Sequence, residues 1–78
     1  MQSVHLCLDS IDKVKNFVNV IAQQDGDFDL VSSRYVVDAK SIMGIFSLDL
    51  SKPIRLDIYS SEAVDKLMPH IKNYIVEQ

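Results

Sequence analysis

Val4, Leu6 and Leu8 alternate with Ser3, His5 and Cys7, the two-residue period of a half-buried strand over residues 3–8. Asp9 and Ser10 then supply a helix-start signal, because their side chains can accept from free N–H groups of a first turn. From Ile11 the period changes. Ile11, Val14, Phe17, Val18 and Ile21 fall on one face of a helix, with Lys13, Lys15, Asn16 and Asn19 on the wet side. Gln23-Gln24-Asp25-Gly26 closes that helix, Gly26 being suited to a left-handed turn. Residues 27–31 and 35–39 read as strands joined through Ser32-Ser33-Arg34, a hairpin without the Asn-Gly pair that favours the tightest turns.

Ser41 stands where a short helix begins, running to about Leu48. Gly44 inside it costs about 1 kcal/mol relative to Ala, so this helix depends on tertiary packing. Asp49 to Lys52 form a loop. Pro53 opens a strand in which Ile54, Leu56 and Ile58 face one way and Arg55, Asp57 and Tyr59 the other. Ser60 and Ser61 cap a last helix with an apolar stripe of Val64, Leu67, Met68, Ile71 and Ile75. Pro69 interrupts that stripe, and its missing N–H predicts a kink or a break. The order is β-α-β-β-α-β-α. Strands with one apolar face and interleaved helices predict an α+β open-faced sandwich, a four-stranded antiparallel sheet with three helices on one face.

The chain of 78 residues suffices for one domain spanning 1–78. Its 47% apolar content and few glycines and prolines point to a packed core. Eight basic and eleven acidic residues, mixed along the chain, give a formal charge of -3. That balance offers no clustered Lys and Arg for a nucleic-acid backbone. Cys7 is the one cysteine, which excludes an internal disulfide and suits the reducing cytoplasm. No apolar run reaches the ~18 residues of a membrane span, so no membrane association is expected. The start of the chain lacks the basic region of a signal peptide.

The segment Val37-Asp38-Ala39-Lys40-Ser41-Ile42-Met43-Gly44-Ile45-Phe46-Ser47-Leu48, with the element order, resembles the regulatory-serine region of HPr. HPr is the histidine phosphocarrier of the bacterial sugar phosphotransferase system. The resemblance is specific in that segment and looser from Asp27 to Tyr59. It implies the HPr-like open-faced sandwich. It also implies that Ser41 is the serine a dedicated kinase phosphorylates in many Gram-positive bacteria. Ile42, Met43 and Phe46, beside Lys40, would then form the docking patch for partner proteins.

The same family carries its phosphorylated histidine in a Gly-Ile/Leu-His-x-Arg-Pro loop after the first strand. Here Leu8-Asp9-Ser10-Ile11-Asp12-Lys13-Val14-Lys15 stands there, with no His, Arg or Pro. A phosphohistidine relay needs an exposed imidazole and donors for the phosphoryl oxygens. Asp9 and Asp12 would repel that group instead.

The remaining chemistry is sparse. His5 falls on the polar side of the first strand, and His70 reads as a solvated surface residue. Cys7 and His5 make an incomplete ligand pair, so no metal is expected. Asp25, Asp27 and Asp29 lack the spacing and terminal Glu of a calcium loop and read as a solvated turn and strand. No nucleophile motif or phosphate-binding glycine loop occurs, so neither an enzyme nor a cofactor is expected. The expected role is a regulatory, protein-binding HPr-like module, its partner an HPr-type kinase or a regulator of carbohydrate metabolism. The alternatives are an active phosphocarrier using a non-standard site and a non-catalytic structural remnant.

Overall fold

A computed structural model describes residues 1–33 and 35–76; Arg34 of the predicted hairpin link lies outside them. The order is β1 (Gln2–Leu6), α1 (Ile11–Ala22), β2 (Phe28–Ser32), β3 (Tyr35–Asp38), α2 (Ile42–Phe46), β4 (Ile54–Ile58) and α3 (Ser61–Ile71). The four strands form one sheet in the order β1-β4-β2-β3, every neighbouring pair antiparallel. The three helices cover one face, as the alternation of the strands requires.

The core lies between that face and the helices. Leu6, Phe28, Leu30, Ile54, Leu56 and Ile58 supply the sheet side. Val14, Phe17 and Ile21 of α1, Ile45 of α2 and Ala63, Leu67 and Ile71 of α3 supply the helix side. The Phe17 and Tyr74 rings meet edge to face, their centroids 6.4 Å apart. Gly26 takes a φ of 109°, the left-handed turn expected after α1. Ser33 also has a positive φ, of 54°, so the hairpin turns tightly without an Asn-Gly pair.

The differences from the sequence pattern have local causes. Pairing of β1 with β4 stops at Leu6↔Ile54, because β4 begins only after Pro53. Cys7 therefore leaves the predicted strand, and its N–H, on the side of β1 away from β4, donates to the Tyr74 carbonyl at 2.7 Å. Leu8, also past the strand end, is still fully buried. Ile11 was expected on the core face of α1 but sits exposed in the first turn, where no element covers it. Helix α2 is shorter than predicted. Ser47 and Leu48 close it with N–H bonds to Gly44 and Ile45, the tighter turn common at helix ends.

Pro69 does not break α3, which continues to Ile71. The helix stops there, so Ile75 is not part of its stripe. Ile75 instead forms an antiparallel bridge to Leu6. Ser60 stands at the N-cap of α3 but makes no side-chain cap bond, and Ser61 is already the first helical residue.

Candidate functional site

Asp38 fixes the passage from β3 into α2. Its carboxylate accepts from the Lys40 N–H at 2.9 Å, and its backbone carbonyl accepts from the Ser41 N–H at 3.0 Å. This side-chain turn delivers Ser41 to the helix start in an extended conformation. The Ser41 hydroxyl accepts from the Gly44 N–H at 3.2 Å, satisfying one of the free donors of the first turn. Ser41 is half-buried, so its oxygen is capped without being sealed in the core. A side chain at position 44 would crowd this arrangement. A Cβ there would lie 3.2 Å from both the Ser41 Oγ and the Val37 Cβ.

The apolar residues after Ser41 divide between two surroundings. Ile45 is fully buried and Leu48 nearly so, while Ile42 is half-buried against the core. Met43 is 80% exposed and Phe46 43% exposed. A helix this short buries only one side, and the surplus apolar surface faces outward. Lys40 is exposed too, but its ammonium turns away from the cap. It donates to the Gln24 carbonyl at 3.0 Å and lies 5.7 Å from the centre of the Phe28 ring.

The start of α1 is built differently. The Ser10 hydroxyl accepts from the Lys13 N–H at 3.1 Å, and the Lys13 ammonium bridges Asp9 at 2.9 Å. The hydrogen bond from Lys13 and then its charge hold the Asp9 carboxyl below the usual range, and Asp9 raises Lys13 in turn. Asp12 adds a second acid in that turn. Neither histidine lies in the first turn of α1 or α2. His5 is half-buried next to the last residue of β1, opposite Arg55, and His70 is exposed near the end of α3. Among the described residues no cluster of His, Cys, Asp or Glu is arranged to hold a metal ion. Among the described residues no helix is long and apolar enough to cross a membrane.

One polar group was missed by alternation alone. Asp57 was placed on the wet side of its strand, yet it is only 4% exposed. The Ser3 hydroxyl donates to it at 2.7 Å and the Arg55 guanidinium at 2.9 and 3.2 Å. Burial pushes its carboxyl upward, but these partners outweigh burial and hold it below the usual value. The available signal was an opposite charge two residues earlier on the same strand face.

No family model matches the sequence, and no curated protein matches it. Among solved structures the chain is similar to the crystal structure of HPr-C-His from Thermoanaerobacter tengcongensis. The TM-score is 0.74 at 24% identity, covering 94% of this chain and 93% of that one. The likeness in connectivity and sheet order therefore establishes the fold, and this chain adopts the HPr-like open-faced sandwich.

Proposed function

We propose that this chain is a regulatory, protein-binding module related to the phosphoenolpyruvate-dependent sugar phosphotransferase system, and that it acts in the bacterial cytoplasm. Met43 and Phe46, with Ile42 and Lys40 at their margin, form the docking surface. Ser41 is the switch. The observation that carries this reading is the exposure of Met43 and Phe46 on the helix that half-buried Ser41 caps. Met is well suited to such a surface because its thioether adapts to varied partners.

Phosphorylation would transfer the γ-phosphoryl of ATP to the Ser41 oxygen, releasing ADP and the hydroxyl proton. The product places about two negative charges beside Met43. The first-turn N–H groups of α2 can meet those charges, so the modification alters the docking surface without demanding that the helix unfold. A phosphocarrier role has less support. The start of α1 offers carboxylates in place of an imidazole, and neither histidine lies at a helix N-terminus.

The test is incubation with an HPr-type kinase and ATP, followed by mass spectrometry. Phosphate on Ser41, absent in Ser41→Ala, is the expected result. Partner capture through the patch is expected to be lost in Met43→Asp. Acid-labile phosphate on His5 or His70 after incubation with phosphoenolpyruvate and the general phosphotransferase enzyme would overturn the reading.

A further inference from the structure

We propose that the outer edge of β3 pairs with an extended, basic strand of another protein. The two edges of the sheet are treated differently. The edge of β1 is covered by residues 74–76, which follow α3. Cys7 donates to the Tyr74 carbonyl at 2.7 Å, Val76 donates to the His5 carbonyl at 2.9 Å, and Ile75 bridges Leu6. Strand β3 ends the sheet on the other side, and among the described residues it pairs only with β2.

The phase of that ladder places the free groups. Ala39 donates to the Phe28 carbonyl at 2.9 Å, so the bonded positions of β3 alternate from Ala39 back through Val37 and Tyr35. Val36 and Asp38 therefore direct their N–H groups outward. Exposed edges are ordinarily blunted by shortness, charge (above all Lys), Pro or a bulge; β3 is short, at 4 residues, and its one charge is that of Asp38. Tyr35-Val36-Val37-Asp38 has neither Lys nor Pro and pairs in unbroken register, and Tyr35 and Val36 are 65% and 61% exposed. Such an edge is a template for strand addition.

Charge selects the occupant. Asp29 lies directly across from Asp38, a like-charge pair that weakens a sheet. Among the described residues neither is ion-paired. Asp29 accepts from the Tyr59 hydroxyl at 2.8 Å, and among the described residues the Asp38 carboxylate accepts a backbone N–H alone. The nearby Lys40 ammonium is committed to the Gln24 carbonyl. Asp27, Asp29 and Asp38 line a shallow cleft of about 350 Å³ beside the edge. A second copy would bring another Asp38 to the same edge, between two chains of charge -3. A strand with Lys or Arg on the face shared by Val36 and Asp38 would relieve the repulsion and cover Val36 with its aliphatic stems, its apolar residues lying on the face of Tyr35 and Val37. This inference does not rest on Ser41 or on the α2 patch.

The experiment titrates the full chain, labelled for NMR, with a short synthetic peptide of alternating lysine and valine. A peptide of alternating glutamate and valine is the control. The lysine peptide is expected to shift the Val36, Val37 and Asp38 amides and to protect those of Val36 and Asp38 from exchange. The pair Asp29→Asn and Asp38→Asn keeps the hydrogen-bond acceptors while removing the charge, and binding should weaken roughly tenfold. Val36→Pro deletes an outward N–H and should abolish pairing; if it fails to fold, the Asn pair still decides. Equal binding of the glutamate peptide, unchanged binding by the Asn pair, shifts confined to Met43 and Phe46, no binding, or a peptide-free dimer joined through β3 would each overturn the proposal.

Discussion

Helices α1 and α2 begin with the same device and end up with opposite surfaces. In each, a serine in extended conformation caps the first turn by accepting from the N–H three residues on: Ser10 from Lys13, Ser41 from Gly44. At α1 that turn is occupied by charge, with Asp9 bridged to Lys13 and Asp12 beside them. At α2 no acid stands in the first turn, the third helical position is a glycine, and Met43 projects into solvent. The cap is thus a structural constant, and the neighbours decide what each start can receive. An added anion meets carboxylates at α1, and at α2 it meets free donors beside an apolar surface.

The largest contrast expected is in modification. With an HPr-type kinase, Ser41→Ala should abolish phosphate incorporation and Ser10→Ala should leave it unchanged, scored by intact-protein mass spectrometry. Incorporation at Ser10 would end the distinction between the two starts.

The third helical position gives the next contrast, in stability. From propensity alone, Gly44→Ala should stabilise by about 1 kcal/mol. The geometry predicts the opposite sign. The new Cβ would press on the Val37 Cβ, which is fixed on a strand, and on the Ser41 oxygen, which can retreat only by losing its cap bond. A destabilisation of about 1–2 kcal/mol is expected by urea denaturation. Lys13→Ala, at the matching position of α1, should shift the midpoint only slightly, and less still in high salt, because its ion pair is exposed.

The caps themselves rank next. Ser10→Ala and Ser41→Ala should each cost about 1 kcal/mol. Ser60→Ala should cost clearly less, since the Ser60 hydroxyl makes no cap bond at α3. Equal losses at all three would mean that backbone preference, and not the side-chain bond, sets the effect.

These contrasts also show how far residue patterns reach. The bounds of α1 were legible because a helical period runs unbroken from Ile11 to Ile21 and the polar Gln23-Gln24-Asp25-Gly26 follows it. The outward surface of α2 was legible because five large apolar residues between Ile42 and Leu48 crowd a short helical segment that buries one side. The path after α3 was not. Ile71 and Ile75 keep helical spacing in either conformation, and only the bare edge of β1, distant in sequence, draws Ile75 out of the helix. Asp57 was misplaced for a related reason. Alternation assigns a face, but burial on that face depends on Ser3 and Arg55 closing over the carboxylate. The direction of Lys40 also escaped the sequence, because its acceptor, the Gln24 carbonyl, is a backbone group with no residue signature.

The smallest expected effect separates the two helix starts by pH. The Asp9 carboxyl is held below its unfolded value by Lys13, so the pair contributes above that value, near pH 4, and fades as pH falls through the lower folded one. Lys13 is raised, so the same pair is complete below its unfolded value near pH 10.4 and fades as pH rises further. The first turn of α2 holds no acid, and the comparison is made in Asp38→Asn, which keeps an acceptor for the Lys40 N–H ahead of that turn without a carboxyl. Amide exchange should therefore show Lys13 and Val14 loosening relative to Gly44 and Ile45 below pH 4, and Asp9→Asn should remove the difference. Asp57 also loses its charge there, but it sits between β1, β2 and β4 and is not part of either helix start. Its protonation should lower global stability, so it raises exchange at both starts together. A salt series completes the separation. The exposed Asp9–Lys13 pair is screened and its local contrast shrinks, whereas the buried Asp57 network keeps its acid dependence.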